Sequence, residues 1–106
     1  MAYIKTHCED CEMLLGQPYE NVHRWLDEYT KEYPVDKYLE YHRRFRHNKK
    51  GVEEVKKMWG IEAEMAAKIH LARDAEWPPL PKSLHEMKEA EVTEFVEACY
   101  RYFPKE

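Results

Sequence analysis

Between Lys50 and Asp74, the residues Val52, Val55, Trp59, Ala63, Ala66 and His70 recur at three- and four-residue intervals and fall on one narrow stripe of a helix. Such a stripe obliges the segment to pack one face against neighbouring elements. The helical phase survives across Gly60, so one long helix and a kinked pair are both compatible with it. The stripe ends in an imidazole rather than a hydrocarbon. No part of the chain shows the two-residue alternation of a strand.

The remaining segments read as helices with identifiable ends. Thr6-His7-Cys8-Glu9 has the form of a capping box opening a first helix, and Gly16 supplies its stop. Pro18 suits the first turn of a second helix, on which Tyr19, Val22, Leu26, Tyr29 and Tyr33 share a face with Trp25 beside them, until Pro34. Asp36 can cap a third helix reaching about His47, with Tyr38, Tyr41, His42 and Phe45 on one side, which turns His42 inward. The adjacent prolines of Glu76-Trp77-Pro78-Pro79-Leu80-Pro81 exclude regular helix and predict a strap across the bundle, anchored by Trp77 and Leu80. Ser83-Leu84-His85-Glu86 is a second capping box, predicting a last helix that buries Leu84, Met87, Phe95, Ala98, Cys99 and Tyr102 before Pro104. The expected fold is all-α: a single domain spanning residues 1–106, built as a bundle of about five helices with a proline-rich strap before the last.

Composition narrows the setting. A chain of 106 residues, 43% hydrophobic and 36% charged with 3 glycines, can build one modest core and favours order over disorder. No apolar run is long enough to span a membrane and no secretory signal precedes Thr6, so a cytoplasmic protein without a membrane partner is expected. Three cysteines, with Cys8 and Cys11 inside a helical pattern, point to reduced thiols rather than a disulfide framework. Abundant glutamate and lysine beside scarce asparagine, glutamine and serine match the bias of thermophile proteins. A net charge of -4 disfavours nucleic-acid binding over the whole surface, which leaves only a local basic segment for it.

Helical neighbours four apart share a face, and four histidines have a candidate ligand at that distance. His7 stands with Cys11, His23 with Asp27, His70 with Asp74, and His85 with Glu89; among 21 acidic residues the last pair is an accident of composition. His42 and His70 lie on apolar stripes, where an imidazole needs a hydrogen-bond partner or a metal. A hydrogen-bonded core histidine is the simpler account of either alone, and convergence with His23 and Asp27 would favour a metal. The C-x-x-C of Cys8 and Cys11 has no second copy. No serine triad, glycine-rich phosphate loop or His-Glu-x-x-His motif is present. The segment Arg43 to Lys50 carries Arg43, Arg44, Arg46, Lys49 and Lys50, able to hold a phosphate or to end a helix with charges that suit its dipole.

Taken in order, Gly16-Gln17-Pro18-Tyr19-Glu20, His23-Arg24-Trp25-Leu26-Asp27, His42-Arg43-Arg44-Phe45-Arg46-His47 with Gly51 beyond, and His70 with Asp74 resemble an uncharacterised family of small microbial proteins, a domain of unknown function. That family's pattern is G-x-P-E, H-x-W-x-D, R-H-R-x-x-x-H and E-Q-H with a later aspartate, and the likeness covers about Thr6 to Pro79. Lys68 stands where its glutamate would be, Asn48 where a second adjacent histidine often stands, and Ile61 directly follows Gly60 where the family has extra residues. The resemblance implies that His7, His23, Asp27, His42, His47 and His70 act together, and it implies no activity.

The expectation is therefore a metal-binding helical protein with His23, Asp27, His42 and His70 as ligands and His7, His47 or Asp74 completing the shell. Imidazole and carboxylate suit one divalent zinc, iron, manganese or nickel ion, with no organic cofactor. A water on that ion could hydrolyse a phosphorylated substrate held by Arg43, Arg44 or Arg46. The alternatives are a non-enzymatic module that grips nucleic acid or an acidic partner through Arg43 to Lys50, and a helical homodimer.

Overall fold

The computed structural model describes residues 4–28, 46–75, 80 and 82–100. These form five α-helices and one 3-10 turn: α1 Ile4–Leu15, α2 Glu20–Leu26, α3 Lys49–Trp59, α4 Ile61–Asp74, the turn Leu84–Glu86, and α5 Glu89–Cys99. No strand occurs among the described residues, and the fold is an all-α bundle. None of these helices is long and apolar enough to cross a membrane.

Helix α4 is the axis of the assembly, packed against α1, α2, α3 and α5. Its sequence allows this because Ala63, Ala66, Ala67 and Ala72 present almost no side chain, so neighbours can approach on several sides while Ile69 and Leu71 fill the space between them. Around it stand Cys11 from α1, Val22 and Leu26 from α2, Val52 and Val55 from α3, and Val92, Val96 and Cys99 from α5. Fully burying a valine or leucine contributes about 1.5–3 kcal/mol, so the apolar side chains around α4 hold its polar last turn in register. No disulfide joins Cys8, Cys11 and Cys99.

The segment 50–74 is the kinked pair. Gly60 takes φ 98°, a backbone conformation suited to glycine, and ends α3 while opening α4. Lys56 and Lys57 lie in the last turn of α3, and Glu62 and Glu64 in the first turn of α4, each matching the local dipole. The break changes the fate of Trp59: instead of filling the stripe it is 41% exposed and stands edge-on to Trp25.

Several predicted boundaries move. Helix α1 already includes Ile4, whose half-buried side chain extends the apolar face, so Thr6 lies inside the helix instead of capping it. Gly16 does end it, at φ 84° with its N–H on the Glu12 carbonyl. Helix α2 stops at Leu26 rather than Pro34, because Asp27 leaves helical geometry to reach His70 and His47. Ser83 does not start the last helix: Leu84–Glu86 is a single 3-10 turn, and α5 begins at Glu89, where the Lys88 N–H donates to Glu91 Oε1 at 3.1 Å. From that start Val92, Val96 and Cys99 share the inner face and Ala98 is exposed. The expected helix from Asp36 and the strap residues Glu76 to Pro79 and Pro81 lie outside the described residues, though Leu80 packs half-buried on the core.

Candidate metal centre

Two His-x-x-x-Asp pairs close α2 and α4, and their spacing puts both members of each pair on one helix face. Where the faces meet, His70 Nε2 lies 3.1 Å from Asp27 Oδ1 and 3.3 Å from Asp74 Oδ2. Asp27 is the C-cap of α2 and Asp74 the last residue of α4. Both carboxylates therefore sit at the negative ends of helix dipoles, where a cation is favoured and an anion is not. Burying two anions there requires positive charge between them.

His47 supplies the third side of the centre through a tight backbone turn at Arg46. Arg46 adopts φ 76°, turning the chain inward so that His47 is 1% exposed. Asn48 then caps α3 by accepting the Gly51 N–H at 2.9 Å. Gly51 is required by contact: a Cβ there would come within 1.8 Å of the Arg46 carbonyl oxygen. Arg46 anchors the turn by donating to the Trp25 carbonyl at 2.7 Å, pairing with Glu28 and lying 4.1 Å over the Trp25 ring. His47 Nε2 ends 3.1 Å from His70 Nε2, 3.2 Å from Asp74 Oδ2 and 3.4 Å from Asp27 Oδ1.

His23 stands behind this set rather than in it. Its Nε2 donates to the Pro18 carbonyl at 2.9 Å, leaving Nδ1 to accept from His70 Nδ1, also at 2.9 Å. That relay places a proton on His70 Nδ1 and leaves Nε2 as the nitrogen that faces Asp27, Asp74 and His47. Metal-ligating histidines are usually oriented in this way by an outer partner. Pro18, expected in the first turn of the second helix, lies before α2, which begins at Glu20, and its carbonyl holds the His23 ring.

His7 is fully buried, and its ring stacks on His70 at 3.5 Å between centroids and 15° between planes. Its Nε2 lies 3.2 Å from Asp74 Oδ1, yet neither ring nitrogen makes a hydrogen bond among the described residues.

Charges follow this layout. Burial pushes the His23 imidazole down to about 3, helped by His70 and His7, and burial with His70 likewise lowers His7. Burial opposes a charge on His70 as well, but Asp27 and Asp74 outweigh it and raise its pKa to about 9. Burial would raise Asp27; contacts from His47 and His70 more than offset it and hold the carboxyl well below its usual range. With no ion in the centre, a proton on His70 is the cation between the carboxylates.

The structure thus gathers six of the seven residues expected as ligands: His7, His23, Asp27, His47, His70 and Asp74. They fall into two groups within metal-binding distance, Asp27 with His47, His70 and Asp74, and His7 with His23 and His70. His42, Arg43 and Arg44 lie outside the described residues, and Arg46 directs its guanidinium to Trp25 and Glu28. A separate cluster lies beside the centre. Asp10, 1% exposed, receives Arg73 Nε at 2.7 Å, Arg73 Nη2 at 2.8 Å and His85 Nε2 at 2.6 Å, tying α1 to α4 and the 3-10 turn. His85 thus pairs with Asp10, and Glu89 was indeed an accident of spacing.

The chain matches no family model, no curated protein and no solved structure. The functional reading therefore stands on the geometry of the centre itself.

Proposed function

We propose that this protein binds a divalent metal ion through Asp27 Oδ1, His47 Nε2, His70 Nε2 and Asp74 Oδ2. The supporting observation is the spacing of those atoms: the five distances that involve a histidine nitrogen run from 3.1 to 3.4 Å. Ligands about 2.0–2.1 Å from a tetrahedral zinc are about 3.3–3.4 Å apart along each edge. Cis ligands of an octahedral ion at about 2.1 Å are about 3.0 Å apart, and trans ligands about 4.2 Å. The four donor atoms all lie within 4.8 Å of one another, so Asp27 and Asp74 suit either a tetrahedral edge or an octahedral axis. Two neutral imidazoles and two carboxylates balance the charge of one divalent ion, the condition for keeping it buried.

Zinc fits the first geometry; manganese, iron or nickel fits the second. Held octahedrally by these four donors, such an ion would leave positions for water and substrate, and the chemistry it would supply is a more acidic bound water. Hydrolysis of a phosphorylated substrate is the activity we attach to this centre, with Asp27 and Asp74, the ligands with 9% and 7% of their side chains exposed, marking the approach.

Elemental analysis of untagged protein tests the first step: at least one equivalent of metal is expected, and its loss in Asp74→Ala. Protein that stays metal-free after reconstitution with zinc, manganese, iron and nickel would refute it. Metal-dependent turnover of p-nitrophenyl phosphate, abolished in the same variant, tests the second.

A further inference from the structure

We infer that the centre holds a second metal ion, bridged to the first by the Asp74 carboxylate and ligated by His7. This inference rests on the single-ion reading above. Three observations carry it. First, His7 is fully buried with both ring nitrogens lacking a hydrogen bond among the described residues, a state that costs free energy unless something else uses the nitrogen. Second, Asp74 presents its two oxygens to different imidazoles: Oδ2 faces His47 and His70 at 3.2 and 3.3 Å, whereas Oδ1 faces His7 at 3.2 Å. The second oxygen thus repeats, with a different nitrogen, the spacing of the first site.

The third observation is the stacking. The His7 and His70 rings lie nearly parallel, 3.5 Å apart, and the Nε2 atom of each faces an oxygen of the same carboxylate. Two ions placed on those nitrogens would stand side by side at the separation of the rings. That matches the separation of about 3.5–4 Å found in two-metal hydrolytic sites. A hydrogen-bonded core histidine would explain burial and the contact with Asp74, but not the parallel placement of two imidazoles on the two oxygens of one carboxylate.

The ligand sets also differ. His7 and Asp74 are the donors to the second ion among the described residues, so most of its positions go to water and substrate oxygens, and it binds more weakly than the first. Two divalent ions against Asp27 and Asp74 leave a surplus of positive charge, which an anionic phosphoester would offset.

The test is stoichiometry and magnetic coupling in the intact chain, with manganese(II) as the probe. Metal-free protein is titrated and read by native mass spectrometry and electron paramagnetic resonance, alongside His7→Phe, which keeps a stacked ring and removes the nitrogens. Expected are two equivalents and an exchange-coupled spectrum in the unaltered protein, against one equivalent and an uncoupled spectrum in H7F. One equivalent in the unaltered protein at saturation would overturn the second site and leave the first intact. Two equivalents in both proteins would overturn the assignment to His7. No bound manganese, with zinc, iron and nickel also absent after the same titration, would remove the single-ion reading itself. The coupled spectrum needs no variant, so a misfolded H7F leaves the inference open to refutation.

Discussion

Two buried carboxylate clusters lie side by side in this bundle and are built on opposite principles. Around Asp10 the protons match the acceptors: Arg73 gives a two-pronged contact, His85 adds a third, and one negative charge meets the positive charge of a guanidinium. Around His70, among the described residues, two carboxylates and two Nε2 atoms face one another at 3.1–3.4 Å, with no guanidinium between them. The first cluster is complete as polypeptide. The second gathers side chains within metal-binding distance of one another, and the lesson is that burial and charge alone do not distinguish a clamp from a candidate metal centre, whereas the grouping of ligand atoms does.

This contrast can be broken experimentally, and the largest effect belongs to the centre. Chelation at pH 7 is expected to lower the unfolding free energy by about 4 kcal/mol, the value for an ion held at a thousandfold over its dissociation constant. Superimposable urea melts with and without chelator would erase the distinction. Next comes Gly51→Ala: its Cβ cannot coexist with the Arg46 carbonyl 1.8 Å away, and the displaced turn should cost about 3 kcal/mol and weaken metal binding through His47. Undiminished affinity in that variant would mean that His47 is not held by this turn.

His23→Phe separates orienting from ligating. Loss of an outer-sphere partner typically weakens a site about 10–100-fold without changing its stoichiometry, and isothermal titration should find that pattern. Asp10→Asn is smaller still, about 1.5 kcal/mol of stability from a weakened charged hydrogen bond, with metal content unchanged. A fall in metal content there would make the clamp part of the centre.

The gentlest probe is pH. His70 is raised from 6.5 to about 9, so with the ion removed its contribution is full below 6.5 and fades as pH rises through 9. His7 and His23 are lowered, so their contribution is present above 6.5 and is lost as pH falls below it. The buried centre therefore stabilises the metal-free chain most near pH 6.5. Metal displaces the His70 proton, so the metal-loaded protein should not weaken between pH 6.5 and 9. Thermal melts across that range, with and without metal, check both curves.

Sequence reasoning reached the bundle and much of the centre for the same cause: both follow helical spacing. His23 with Asp27 and His70 with Asp74 are i, i+4 pairs, and their convergence needs only that two helices meet. Spacing does not reveal that Asp27 is reached by ending α2 at Leu26, nor that His23 turns both nitrogens to Pro18 and His70. His47 is harder to place, because a left-handed Arg46 sets its direction, and helical spacing does not reveal such a backbone turn. Gly51, two residues into the next helix, was the available signal, since a helical glycine asks what backbone lies against it. Arg46, read as a phosphate ligand, has the sequence of a basic patch and the contacts of an anchor.

The ligand set also has a topological consequence. His47 and His70 are 23 residues apart and Asp27 and His70 are 43 apart, so an ion joining them closes long loops in the chain. Cross-linking a loop of about 15 residues removes about 3 kcal/mol of unfolded-chain freedom, and longer loops somewhat more. No disulfide joins Cys8, Cys11 and Cys99, so no covalent staple does this here. A bound ion would serve as a reversible one, and the supply of metal would then decide how many unfolded conformations the chain must search before α2 and α4 meet.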